Sequence, residues 1–377
     1  CVNLDPWAMR ASTLARLAHD QGAGADMFIV EAMMGLFDGA ADGTASAGDL
    51  AVQLGLPVVF VVDVSRMAQS IGALVSGYRD HRRDVHMAGV ILNRVGSARH
   101  EAMLRTALEP TDVPVLGALP AIDDLVLPER HLGLVQAGEH PALDRFCDHV
   151  ADAVARHCDL DALAGLCWSG CGHARSTLPL APLGQRIAVA YDEAFAFCYP
   201  HWLRDWRQQG ADLHFFSPLA NEAPDEDCDA VFLPGGYPEL HGERLSSAGR
   251  FMAGMVAARD RGALIYGECG GYMVLGETIT DANGMVHPMT GLLPVETSFA
   301  HRKRHLGYRR VQPRAQLPWN AQLMGHEFHY SVAMREDGAA LFDACDANGG
   351  ALGACGSVIG RVCGSYLHII DMAESAS

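Results

Sequence analysis

Short runs of aliphatic, mostly β-branched residues recur along this chain, and most run into a polar residue or a glycine. In the first part they cover 27–30, 58–62, 85–92 and 113–118, ending at Glu31, Asp63, Asn93 and Leu119-Pro120, with helical periodicity at 65–78 and 98–108. In the second part they cover 187–190, 212–216, 229–233 and 263–266, with helical stretches at 202–209 and 245–261. Continuous apolar runs alternating with helices predict parallel sheets, because a strand buried on both faces has no polar side to show. The two sets are separated by a helix over 143–158 and a Gly/Ala/Pro-rich linker reaching 185. An α/β protein of two domains follows, divided as 1–142, 143–185 and 186–377. Ligands of such sheets bind beyond the carboxyl ends of the strands, which brings forward Glu31, Asp63 and Asn93.

Charge removes several function classes. The 377 residues carry a formal net charge of −17, the wrong sign for nucleic-acid or anionic-membrane partners. No apolar run approaches the ~18 residues of a membrane span. Lys303 is the only lysine among 28 basic residues, and no glycine-rich loop precedes it. The sequence therefore contains no Gly-Lys-Ser/Thr phosphate-binding loop. His301-Arg302-Lys303-Arg304-His305 reads equally as a steering patch for an anionic substrate or as a solvated hairpin tip. Eleven scattered cysteines suit a reducing cytoplasm better than a disulfide framework. Cys167, Cys171 and His173 could be called a zinc half-site, but a structural site needs four ligands with a second matching pair and none follows, so they read better as loop residues.

The densest chemistry lies at Gly267-Glu268-Cys269-Gly270-Gly271, where an apolar strand runs into a glycine-flanked cysteine and a helical pattern follows. That layout predicts a nucleophile elbow with Cys269 as the nucleophile, its thiol acidified by the following helix N-terminus. The Gly270 amide would face a developing oxyanion, joined by a donor from Gly235 or Gly236 after the neighbouring strand. A thiolate nucleophile needs a base. His368, at the end of the last apolar strand in Gly364-Ser365-Tyr366-Leu367-His368, is the better-placed candidate, ahead of His326 and His329.

Leu233-Pro234-Gly235-Gly236-Tyr237, Tyr266-Gly267-Glu268-Cys269-Gly270-Gly271 and Gly364-Ser365-Tyr366-Leu367-His368 resemble the class I glutamine amidotransferases. Ala190 to Phe195 and Gly325 to Ser331 resemble the branch found in cobalamin-pathway amidases. In the N-terminal half, Asn3-Leu4-Asp5, the stretch from Val30 to Gly39 and that from Leu127 to Leu134 resemble the a,c-diamide synthases of cobyrinic and hydrogenobyrinic acid. The resemblance implies a P-loop-NTPase-like, dethiobiotin-synthetase-like domain over 1–142, N-terminally truncated, and a flavodoxin-like glutamine amidotransferase domain over 186–377. It implies glutamine, ATP and a corrinoid polycarboxylate as substrates, in the cytoplasm, in a chain compatible with a homodimer. Cys269 and His368 would release ammonia from glutamine for a carboxylate activated by ATP. Glu31 would lie at Mg²⁺, Asp38 would place the corrinoid carboxylate, and Asp63 and Asn93 would lie on the nucleotide side.

Two departures stand out. Where many class I amidotransferases carry a glutamate two residues after the histidine, this chain has Ile370, leaving Glu327 as a candidate third member. The family's phosphate loop is also absent, so the chain is expected to hydrolyse glutamine without amidating. A cobyric acid synthase, a nickel-sirohydrochlorin a,c-diamide synthase or a non-catalytic module lacking the ATP site are the competing readings.

Overall fold

The computed structural model describes residues 1–123, 142–166, 178–315 and 317–374, with residues 125, 127, 129–130, 133–134, 137 and 140 between the first two stretches. Cys167, Cys171 and His173 lie outside the described residues, as do Pro128, His131 and Leu132 of the segment from Leu127 to Leu134. By contacts the chain forms two compact units, one of residues 1–23, 38–46 and 173–377, the other of 24–37 and 47–172. This grouping crosses the sequence-based division, since residues 1–23 fold onto the C-terminal part. Their helix α1 (Ala11–Gly22) was not foreseen.

The unit of residues 24–37 and 47–172 holds a parallel sheet of β1 (Val58–Asp63), β2 (Met87–Val95) and β3 (Val115–Pro120) in that order. Helices α2 (Ser70–His81) and α3 (Ala98–Leu108) supply Ile71, Val75, Leu104 and Leu108 to a core with Val62, Val90 and Leu92. Asp63 ends β1, and its side chain accepts from the Ser65 amide at 2.9 Å. That turn delays α2 beyond the expected start at residue 65. Two expectations fail here. Residues 27–30 form no strand, and Met27 and Ile29 are exposed, since they lie outside the described sheet of β1, β2 and β3. The sheet is also not covered evenly, since Val61 is 58% exposed. Helix α4 (Leu143–His157) packs against β3.

The larger unit is built on six strands: β4 (Arg186–Ala190), β5 (Asp212–Phe216), β6 (Ala230–Leu233), β7 (Leu264–Glu268), β8 (Ser357–Ile359) and β9 (Val362–Ser365). The order is β8-β9-β7-β6-β4-β5, parallel except for β8 at the edge. Alternate residues feed two cores. Ala188, Val231 and Ile265 face Phe251, Met255 and Val274, while Ile187, Phe232 and Tyr266 face Trp202, Trp206 and Trp319. Both faces are buried, as the unbroken apolar runs require. The helix expected over 245–261 is two, at Gly242–Ser246 and Gly249–Asp260, interrupted by a turn in which the Gly249 amide bonds to the Ser247 carbonyl.

A second, five-stranded sheet includes the pair Leu323–His329 and Leu367–Met372. Here the expectation for His368 is corrected. The parallel strand β9 ends at Ser365, and His368 is the second residue of a new strand in the other sheet. The chain changes sheets at Tyr366, which carries the histidine across to the end of β7.

Candidate functional site

Cys269 sits between β7 and the short helix Gly270–Leu275 with φ 46° and ψ −106°. A non-glycine residue at positive φ stores about 1–3 kcal/mol of strain, and it persists only where the surroundings hold it. The Cys269 amide donates to the Ser365 carbonyl at 2.8 Å, tying the elbow to the end of β9 three residues before His368. The glycines close the other side. A Cβ on Gly235 would run into His368 Cε1, and one on Gly270 would lie 2.9 Å from the Gly236 nitrogen. Phe197 donates to the Gly235 carbonyl at 2.9 Å and steadies that loop. The elbow, the Gly235-Gly236 loop and His368 thus converge, with the Gly236 nitrogen close to Gly270.

Electrostatics reverse one expectation. Burial pushes the Cys269 thiol up, nearby Glu239, Glu268 and Glu327 add to it, and the Gly270 amide offsets only part. The helix start therefore does not acidify the thiol on its own. His368 is held well below the usual imidazole range by burial and by His326 and His329. A neutral thiol beside a neutral imidazole is the starting state of a base-assisted attack.

His326 is the register partner of His368, their ring centroids 4.9 Å apart and nearly perpendicular. Its Nε2 lies 3.3 Å from the Tyr199 hydroxyl. Glu327 turns elsewhere, bonding His329 Nε2 at 2.9 Å and Arg309 Nη2 at 2.8 Å. Burial would raise its carboxyl, but His329 and Arg309 outweigh burial and hold it at about 2. His305, Glu327 and His329 bring ligand-type atoms within 4.8 Å of one another, yet Arg309 already occupies the carboxylate that a cation would need. The carboxylate facing His368 is Glu268, whose role sequence reading missed. Its Oε2 lies 4.0 Å from His368 Nδ1, while Oε1 accepts from the Tyr266 hydroxyl at 2.9 Å and the Ile369 amide at 3.1 Å. Its position just before the nucleophile was the signal. Ile370 instead offers its carbonyl to His201 Nε2 and Trp202 Nε1, both at 3.1 Å.

In the smaller unit Asp63 and Asn93 are register partners on β1 and β2. Asp63 is exposed and pairs with Arg94 at 3.3 Å. Glu31 and Asp38 are both exposed. A carboxylate such as Glu31 is the hard oxygen donor that Mg²⁺ takes, so the residue fits the ion.

Residues 186–375 match the CobB/CobQ-like glutamine amidotransferase domain, and residues 8–129 match an AAA domain. The hydrogenobyrinate a,c-diamide synthase of Brucella anthropi is 56% identical over 98% of this chain and 86% of its own length. That of Brucella abortus is 54% identical over 100% of this chain and 87% of its own. This chain belongs to the hydrogenobyrinate a,c-diamide synthase family. A more distant member, from Rhodobacter capsulatus, is 47% identical over 98% of the chain and 86% of its own length. Membership accounts for the two α/β units and for a glutaminase elbow in the second.

Proposed function

We infer that this chain is the glutamine- and ATP-dependent ligase that amidates the a and c acetate carboxylates of hydrogenobyrinic acid. The observation that carries it is the strained Cys269 elbow, closed by Gly235, Gly236, Gly270 and His368, in a chain so similar to named synthases over its length. The relatives' names favour the cobalt-free corrinoid over cobyrinic acid.

Cys269 Sγ bonds to the side-chain amide carbon of glutamine as His368 takes the thiol proton. The carbonyl oxygen gains negative charge and is met by the Gly236 and Gly270 amides. The C–N bond then breaks, the proton passes from His368 to nitrogen, and ammonia leaves a glutamyl thioester. Water attacks the thioester with His368 again as base, releasing glutamate and restoring the thiol. Ammonia attacks an acyl phosphate formed from ATP on the corrinoid carboxylate, giving amide and phosphate, and a second round serves the other acetate. Glu31 would hold Mg²⁺, which offsets charge on the nucleotide phosphates. Asp38 would place the corrinoid carboxylate, with Asp63 and Asn93 on the nucleotide side. A cytoplasmic location fits these substrates, and among the described residues no helix is long and apolar enough to cross a membrane.

Glutamate release by the whole chain tests the glutaminase assignment. Cys269→Ala should abolish it, and a diazoketone analogue of glutamine should label Cys269 stoichiometrically. Release at the unsubstituted rate from Cys269→Ala would sink the assignment. Equilibrium binding of hydrogenobyrinic and cobyrinic acids to the chain, measured side by side, tests the substrate, with the cobalt-free acid expected to bind more tightly.

A further inference from the structure

We propose that Glu268 is the positioning residue for His368, replacing the carboxylate that Ile370 cannot supply. The inference rests on the glutaminase assignment of Cys269 and His368. Glu268 is 1% exposed, and the carboxyl is held in one orientation. Tyr266 and the Ile369 amide both bond Oε1, which leaves Oε2 directed at His368 Nδ1 across 4.0 Å. That distance is within ion-pair reach and outside hydrogen-bond reach, a looseness common in catalytic pairs before substrate binds. The Ile369 amide belongs to the residue after His368, so one carboxyl oxygen fixes the histidine's backbone while the other addresses its ring. Glu268 also precedes Cys269 directly, so a single strand end carries both the nucleophile and the group that orients its base.

The chemistry turns on the histidine tautomer. With the carboxyl ionised, Oε2 accepts the Nδ1 proton and Nε2 is free to take the proton of the thiol. With the carboxyl protonated, its hydroxyl donates to Nδ1, the ring hydrogen sits on Nε2, and the imidazole cannot act as base toward Cys269. Burial pushes Glu268 up to about 8, against the lowering effect of the Ile369 amide and the Tyr266 hydroxyl. Glutamine hydrolysis should therefore rise along a limb near that pH. The titratable groups around the pair are Tyr266 and Cys269 on its own strand end, His326, Glu327 and His329 on the adjacent strand, Cys198 and Tyr199 before the helix Pro200–Gln208, and Glu239 beside the thiol.

Steady-state glutamine hydrolysis by the full chain from pH 6 to 10 decides it, comparing Glu268→Gln, Tyr266→Phe and Cys269→Ala. Glu268→Gln should lose about 10²-fold in kcat with KM for glutamine little changed, and its limb near pH 8 should vanish. Tyr266→Phe keeps the carboxylate but removes one of its two anchors. It should lose less in kcat and move the limb without abolishing it. A wild-type limb and kcat in Glu268→Gln would overturn the proposal, and so would an equal loss in kcat at every pH with the limb intact. Should Glu268→Gln fail to fold, Tyr266→Phe decides alone, and an unshifted limb there overturns the proposal. An active Cys269→Ala sinks the glutaminase assignment, whereas an inactive Cys269→Ala beside a wild-type Glu268→Gln sinks only the role of Glu268.

Discussion

Gly235 shows how narrow the tolerances around the base are. Its missing side chain is the space that His368 Cε1 fills, and the same loop backbone must present the Gly236 amide toward Gly270. Gly235→Ala should push the imidazole off line, and misplacement of a catalytic group by about 1 Å costs on the order of 10²-fold. The expected result is a drop of about that size in kcat for glutamate release, with little change in KM and a normal melting temperature. A variant with wild-type kcat would mean that His368 has room to spare. At this scale the sequence was informative where chemistry and spacing coincide. Cys269 between glycines after an apolar run could be read directly. The partner of His368 could not be read the same way, because Glu268 lies 100 residues away in sequence, and its place beside Cys269 does not say which histidine it faces. The acidified thiol was also a misreading, since the amount of carboxylate and apolar wall around Cys269 is a property of packing.

Helix α1 gives the clearest case of an element placed by tertiary contacts. It has an apolar stripe of Leu14, Leu17 and Ala18, all buried, but twelve residues of mixed pattern gave no hint of where the stripe docks. The contacts are specific. Arg10 pairs with Asp371 at 2.8 Å, both nearly sealed from solvent, and the Thr13 hydroxyl donates to the same carboxylate at 2.6 Å. Arg16 reaches Asp205 at 2.8 Å, and Trp7 stacks on Tyr308 with centroids 4.6 Å apart. Asp371 lies three residues beyond His368 on the same strand, so α1 braces the strand that carries the base. Removing one partner of a buried ion pair strands the other, at a cost of about 3–5 kcal/mol. Asp371→Ala should lower unfolding free energy by about that amount in urea titrations followed by tryptophan fluorescence. A change below about 1 kcal/mol would mean that Arg10 finds water when its partner is lost. Strands β4 to β7 of the six-stranded sheet, by contrast, were legible almost residue by residue, because a strand buried in the sheet core writes itself as an unbroken apolar run, whereas the edge strand β8 was not read and β9 was read too long.

For the molecule as a whole, burying the histidine pair makes stability depend on pH. His326 is lowered to about 4 by burial and then by Arg309, and His368 is lowered in the same direction. Both stay neutral in the fold while the unfolded chain begins to protonate below its ordinary value near 6.5. The contribution of these two histidines is therefore complete above that pH and is lost as pH falls toward 4, by about 1.4 kcal/mol per pH unit for each, while Glu268, raised to about 8, works in the opposite direction and is lost as pH rises toward that value. His326→Gln should remove one such share of the slope in denaturation measured between pH 7 and pH 5, and an unchanged slope would show that His326 protonates freely in the fold. The basic run at 301–305 is for the most part exposed, which leaves the choice between a steering patch and a solvated hairpin tip to a salt-dependence measurement. Composition and pattern alone determined that this is an acidic α/β chain with a glycine-flanked cysteine on a strand-to-helix turn, because periodicity, charge and turn chemistry are local properties. Only the tertiary structure decided where α1 docks, that the chain crosses from one sheet to another at Tyr366 and so carries His368 with it, and which carboxylate faces that histidine. Those depend on which distant segments share a core, and burial then sets the protonation of every group in the site.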